Sequence, residues 1–178
     1  MRMRDKIGIV TAAGSGMGRA GAIRFAAEGA AVTVVDLNPD AVADVVKTIT
    51  DAGGKAIGLS GDLTDETFAR GIVRDTTKAF GALDFVWNHV GSPGPASVEG
   101  LDWKEYDFTM NLNVKSVLIT TEAALPELRA RGTLDLIRLL HEGKIRVPIY
   151  DRIPLAEAPR AHRVFESGKV MGKLLMKP

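Results

Sequence analysis

The stretch that most limits this chain is Ile7–Gly18, IGIVTAAGSGMG. Ile7 to Val10 form a short apolar and β-branched run that reads as a buried parallel strand. Glycines follow at positions 14, 16 and 18, and Arg19–Glu28 reads as a helix closed by Gly29. A strand, a glycine turn and a helix in this order make a phosphate site. Bare backbone lets a pyrophosphate approach, and the free N–H groups and dipole of the helix favour its charge. A second strand, Ala31–Val35, ends in Asp36, where a carboxylate can grip a ribose 2′-OH. The competing reading is a purely steric glycine turn with a solvated Asp36.

The chain beyond this unit repeats its pattern. Asn38-Pro39 opens a helix through Ala52 as cap and first helical residue, and Gly53-Gly54 stops it. Lys55–Ser60 is a third strand, with Asp62 and Leu63 just past its end. Thr64, with Asp65 and Glu66, caps an amphipathic helix to Phe80, and Leu83–Trp87 is a fourth strand running into Asn88-His89-Val90-Gly91. This alternation predicts a parallel sheet with right-handed crossovers, in the order 3-2-1-4. The segment from Ser92 to Gly100 is rich in proline and glycine, and reads equally as a lid, a substrate wall or a plain connector. Asp102 caps a long helix, which Pro126 should bend or shorten. On it Trp103, Tyr106, Met110, Val114, Val117, Leu125 and Leu128 follow three- and four-residue steps, predicting one buried face.

Composition narrows the function classes. The 178 residues suit a single domain, and 46% apolar with 25% charged residues is ordinary for a globule. A net charge of +1 offers no electrostatic case for nucleic acid or a membrane surface. With no cysteine, disulfides and thiolate chemistry are excluded, and three scattered histidines make no zinc site, so no metal is expected. No stretch reaches membrane-spanning length, and a cytoplasmic protein is the default expectation.

Residues 1–132 resemble the front part of a short-chain dehydrogenase/reductase. The resemblance is carried by Thr11-Ala12-Ala13-Gly14-Ser15-Gly16-Met17-Gly18, Asp36, Asp62-Leu63, Asn88-His89-Val90-Gly91 and Asn113-Val114-Lys115-Ser116. It implies a Rossmann-like doubly wound sheet in a three-layer α/β/α arrangement. It also implies a nicotinamide cofactor held by Thr11, Gly14, Ser15, Gly16, Met17, Gly18, Asp36, Leu37, Asp62, Leu63, Asn88 and Gly91. Asn113 would belong to the catalytic network and hold a water of its proton relay. Asp36 and the uncharged Ser15 favour NAD over NADP, with Arg19 the residue that could lean toward a 2′-phosphate. The family commonly dimerises through its long helix, so a homo-oligomer, a dimer or tetramer, is expected.

Three departures qualify the resemblance. Ala12 stands where the family has glycine, which requires a negative φ there. His89 and Val90 replace Asn-Ala, and His89 as a base is an alternative of its own. Most severely, the family's Tyr-x-x-x-Lys pair has no match: neither Tyr106 nor Tyr150 is followed by lysine four residues on. Tyr150 is the substitute acid to consider.

Residues 133–178 resemble instead the tail of a medium-chain, quinone-oxidoreductase-type dehydrogenase, through EGKI, PLAEAPRAH and ESGKVMGKLL. The chain thus reads as two oxidoreductase fragments joined near Gly132. Thr133 would cap a helix to Glu142, and Ile145–Tyr150, Ala156–Ser167 and Lys173–Met176 would form a strand, a helix and a strand. These would either extend the sheet to 3-2-1-4-5-6 or pack as a flanking hairpin. Two functions follow: hydride transfer to a quinone or activated carbonyl acceptor that needs little acid–base help, or an NAD-binding module without turnover. A third is a pure interaction protein with a vestigial cofactor site.

Overall fold

The computed structural model describes residues 1–144, 149–166 and 173–177. It divides into two compact units, residues 1–132 and 133–178.

In the first unit β1 (Ile7–Thr11), β2 (Ala31–Asp36), β3 (Lys55–Ser60) and β4 (Phe85–Trp87) form a parallel sheet in the order β3-β2-β1-β4. The helices α1 (Gly16–Ala27), α2 (Pro39–Asp51) and α3 (Glu66–Phe80) alternate with them. Strand residues alternate between two covered faces, which is why the strands read as unbroken apolar runs. Val10, Val32 and Val34 pack with Ala22, Ala26, Val42, Val45 and Ile49 of α1 and α2. Ile9 and Val35 pack on the other side with Ala69, Ile72 and Val73 of α3, together with Ile119 and Ala124. This is the expected doubly wound, three-layer arrangement.

The short strand β4 is fixed by its side chains. Phe85 lies beside Gly8 on β1, and the indole of Trp87 beside Gly21 on α1; a Cβ at either glycine would overlap the ring. Both rings meet Phe25 edge-on, at 5.1 and 5.7 Å between centroids.

Helix ends follow their side chains. Asn38 Oδ1 accepts from the N–H groups of Asp40 and Ala41, with Pro39 at the first position as expected. Asp65, rather than Thr64, caps α3, accepting from Thr67 and Phe68. The long helix is divided: α4 (Trp103–Met110), a π turn (Asn111–Lys115) and α5 (Ser116–His141). Pro126 lies within α5 without ending it. Thr133 does not begin a new helix, because α5 runs through it; Arg129, Ala130, Arg131 and Leu134 are good helix formers, and a glycine at 132 weakens a helix without stopping it.

The expected buried stripe on this helix is not formed. Trp103 is 67% exposed, and Tyr106, Met110, Val114 and Leu125 are exposed as well, while Val117 and Leu128 are half-buried. The face turned to the core instead carries Ser116, Ile119, Thr120 and Ala124.

In the second unit β5 (Ile149–Pro154) and β6 (Lys173–Lys177) pair in parallel with each other, in a two-stranded sheet of their own. The order 3-2-1-4-5-6 is therefore not formed among the described residues. Between them lie a 3-10 turn (Leu155–Glu157) and α6 (Ala158–Glu166). This is a local strand–helix–strand crossover, and the short sequence separation of its two strands makes their pairing cheap in closure entropy. Of the expected strand Ile145–Tyr150, residues 145–148 lie outside the described residues, and Ile149 and Tyr150 belong to β5. Within β5–β6, Ile153 and Ala161 are buried, and Arg160 bonds Glu157 and Asp151 at 2.9 and 3.3 Å.

Candidate functional site

The strand-to-helix turn after β1 presents backbone rather than side chains. Ser15 is the N-cap of α1 but makes no side-chain capping bond, and the first helical amide with a backbone acceptor is that of Arg19, 3.0 Å from the Ser15 carbonyl. The N–H groups of Gly16, Met17 and Gly18 thus belong to the open first turn. Gly16 has φ +53°, and a Cβ there would meet nothing within 4 Å, so the turn is open at Gly16. Gly18 has the opposite role: a Cβ there would run into the Ala12 carbonyl oxygen. Ala12 itself has φ +50°, which corrects the expectation of a negative φ. The chain holds an L side chain in the left-handed region at the start of the turn.

Asp36 closes one side of this turn. Its Oδ2 accepts from the Gly14 N–H at 2.8 Å and its Oδ1 from the Asn38 N–H at 3.1 Å. Both oxygens retain lone pairs, and the side chain is held in place by backbone. Leu37 and Met17 are exposed nearby in sequence, at 70% and 71%. Asp62 Oδ1 accepts from Thr64 N–H at 2.8 Å, and Leu63 is buried in the core, so only its backbone is free to take part in a site.

Thr11 takes a different position from that of a ligand-touching residue. It is fully buried; its hydroxyl oxygen accepts from the His89 and Val90 N–H groups at 2.8 and 3.0 Å, and the hydroxyl donates to the Trp87 carbonyl at 3.4 Å. It fastens the end of β4 to β1. The His89 ring lies on Trp87, 4.9 Å between centroids. Asn88 donates through Nδ2 to Thr121 at 3.2 Å, while its buried Oδ1 has no partner among the described residues.

Asn113 sits in the π turn, and its amide is committed to the loop after β4. Oδ1 accepts from the Ser92 N–H at 2.9 Å and Nδ2 donates to the Ser92 carbonyl at 2.8 Å. The same Oδ1 lies 3.3 Å from where a Gly91 Cβ would stand. Asn113 therefore acts on Gly91–Ser92 through its side chain. Tyr150 belongs to β5 in the second unit, at the register irregularity between Ile149 and Asp151; its side chain lies outside the described residues.

Two features had no sequence signal. Asp84, just before β4, is buried and accepts from the Ile7 N–H at 2.9 Å, Lys6 Nζ at 3.1 Å and the Arg131 guanidinium at 3.1 and 3.2 Å. Burial pushes its carboxyl up, but hydrogen bonds from Arg131, Ile7 and Lys6 outweigh burial and hold it below the ordinary range. Arg19, on the first turn of α1, donates to Asp44 of α2 at 3.1 Å.

The residues present fit a dinucleotide. A helix first turn that is open at Gly16 suits a pyrophosphate, a backbone-held carboxylate suits a ribose hydroxyl, and the Asn88 Oδ1 is a spare acceptor. Among the described residues no group of three acids or histidines gathers for a metal, and no helix is long and apolar enough to cross a membrane.

Comparison with known proteins agrees with this geometry. The short chain dehydrogenase family matches residues 6–137. A (2S)-[(R)-hydroxy(phenyl)methyl]succinyl-CoA dehydrogenase subunit of Thauera aromatica is 30% identical over 69% of this chain and 50% of its own length. A 3-ketoacyl-ACP reductase structure from Sinorhizobium meliloti has a TM-score of 0.68 at 37% identity, covering 71% of this chain and 50% of that one. The structure of a 7α-hydroxysteroid dehydrogenase complexed with NADH and 7-oxo-glycochenodeoxycholic acid has a TM-score of 0.69 at 32% identity, covering 74% and 52%. The chain spans about half the length of these relatives. It belongs to the short chain dehydrogenase family.

Proposed function

We propose that this member of the short chain dehydrogenase family binds NAD(H) and passes its hydride to a quinone or similarly activated carbonyl acceptor. The observation that carries the binding half is the open first turn of α1 over Gly16. In this reading Gly14, Ser15, Gly16, Met17 and Gly18 hold the pyrophosphate through their backbone. Asp36 takes the adenosine ribose, with Leu37, Asp62 and the Leu63 backbone along the adenine side. Asn88 and Gly91 border the second ribose, and Thr11 and Asn113 keep that edge in position. NAD(H) is preferred because Asp36 accepts from a 2′-OH and repels a 2′-phosphate. The complex of the 7α-hydroxysteroid relative with NADH is in keeping with that choice.

When bound, the nicotinamide supplies the hydride. The chain's part is to orient and to exclude water. It has no tyrosine with lysine four residues on, and the Asn113 amide is already used on Ser92. An electrophilic acceptor whose reduced oxygens take protons from water suits such a site. The resemblance of residues 133–178 to a quinone-oxidoreductase tail supports the same acceptor, with residues 1–132 as the dinucleotide-binding part. Tyr150 is the substitute acid if a simple ketone is reduced.

The absent Tyr–Lys pair also favours a second reading, an NAD-binding module without turnover. NADH titration by calorimetry beside NADH consumption with a quinone panel separates the two. Binding with turnover supports the oxidoreductase, and binding alone supports the module. No binding at millimolar NADH overturns both. The exposed apolar residues of α4 and α5 are proposed to meet a second copy of the chain, in a cytoplasmic protein.

A further inference from the structure

Gly14, Asp36 and Ala41 converge at the adenosine end of the site. A Cβ on Gly14 would stand 2.8 Å from Asp36 Cγ and 2.9 Å from Ala41 Cβ, so the start of α2 borders the Asp36 carboxylate. Asp44 is three residues beyond Ala41, on the same face and about 4.5 Å further along the helix. Arg19, the cation nearest in sequence to the glycine turn, stands opposite on α1 and donates to Asp44 Oδ2 at 3.1 Å. Among the described residues this is the partner of its guanidinium. The pair is solvent-facing, with Arg19 39% and Asp44 65% exposed.

We propose that Asp44 sets the cofactor preference of this site by holding Arg19 along α2, away from the position a 2′-phosphate would occupy. The inference rests on the NAD(H) reading above. An extended arginine spans more than one helical turn, so a released guanidinium reaches the Asp36 end of the groove. There it would meet a 2′-phosphate as a charge-assisted, bidentate partner. Bound to Asp44, it is neutralised and points elsewhere. Asp36 is then one half of the discrimination, repelling the phosphate directly, and Asp44 is the other, withholding the cation that would offset that repulsion. Asp44 is a positioning residue, acting only through Arg19.

An exposed pair of this kind is worth about 0.2–1 kcal/mol, so it biases the arginine rather than locking it. At most about 1 kcal/mol, or roughly fivefold in affinity, is released when the pair is broken. A structural role for Asp44 would weaken both cofactors together. A clamp moves only the one that carries the extra phosphate.

The test is a double-mutant cycle on the full chain, with NADH and NADPH dissociation constants measured by calorimetry. Asp44→Ala is expected to tighten NADPH about three- to fivefold and to leave NADH within about twofold. Asp44→Glu keeps the wild-type ratio. In the Asp44→Ala, Arg19→Ala double variant the gain is lost, and in the single variant it shrinks at 1 M NaCl through screening. Unchanged NADPH affinity in Asp44→Ala, or a gain that survives removal of Arg19, overturns the clamp while NADH binding leaves the cofactor reading intact. If the wild type binds neither dinucleotide, the cofactor reading falls and the clamp falls with it.

Discussion

Arg131 closes on Asp84 with two hydrogen bonds, Nε to Oδ1 at 3.1 Å and a terminal nitrogen to Oδ2 at 3.2 Å, and so ties α5 to the entrance of β4. The Asp84 side chain is 4% exposed and also carries Lys6 and the Ile7 amide. Its carboxyl is held below its ordinary range, so the folded state binds this proton less readily than the unfolded chain. The contribution is then fully present above an unfolded pKa of about 4 and is lost as pH falls through the lower folded value. Asp84→Asn should cost about 2 kcal/mol at neutral pH, the scale of a charged hydrogen bond. Melting curves of the two proteins should converge between pH 4 and 2. A constant difference across that range would refute the linkage.

Ala12 is the one residue of the glycine turn with a penalised backbone, at φ +50°. Ala12→Gly relieves a left-handed conformation costing about 1–2 kcal/mol and adds unfolded-chain entropy of somewhat less. A net gain of about 0.5 kcal/mol is expected, a substitution to glycine that stabilises. Thermal melts at neutral pH read it directly.

Gly16 and Gly18 should fail differently. At Gly18 an added methyl meets the Ala12 carbonyl, so Gly18→Ala should lower the melting temperature whether or not a ligand is present. At Gly16 the methyl enters open space, at the cost of a positive φ alone. Gly16→Ala should fold, by circular dichroism, yet lose about tenfold or more in NADH affinity, because the methyl occupies the approach to the helix amides. Equal loss of fold in both would contradict this division.

Asn113→Ala removes both hydrogen bonds between the Asn113 amide and the Ser92 backbone, worth about 1 kcal/mol each when well made. The expected result is a less stable protein with weaker cofactor binding but a quinone-reduction rate constant at saturation within about threefold of wild type, since positioned acid–base help, usually about 10²–10⁴-fold, is not in use. Efficient oxidation of a secondary alcohol by the wild type, lost in this variant, would mean that a working acid exists. Tyr150→Phe would then be the next protein to make.

Leu118 and Phe108 are 64% and 52% exposed on α5 and α4, and α4 also carries the exposed Trp103–Tyr106 pair, with ring centroids 5.7 Å apart. Light scattering should find a dimer or tetramer, and Leu118→Glu should yield monomers with near-normal helix content. A wild-type monomer at high concentration would remove the case for association.

The sheet was legible because its strands are covered on both faces. Val32 and Val34 turn one way and Val35 the other, so no polar alternation interrupts the run. Asn38-Pro39 and Asp36 could be read from local chemistry alone. The α4–α5 stripe could not, because periodicity shows which residues share a face and not what covers it. The π turn at Asn111–Lys115 also shifts the phase between α4 and α5. Ala12 was misjudged because an unfavourable φ is a property of the closed turn and not of its composition. The bonds from Arg131 to Asp84 and from Asn113 to Ser92 join residues 47 and 21 positions apart, which no local pattern announces.

β4 has only three residues, too few for its ladder to specify a position strongly by itself. The two rings seated against Gly8 and Gly21 do what a longer ladder would do elsewhere: they act as locating pins. A slip by one residue would turn both rings to the opposite face, away from these two glycines. Asn88, the next residue along, is therefore delivered at a single height, set by two missing methyl groups, one on β1 and one on α1.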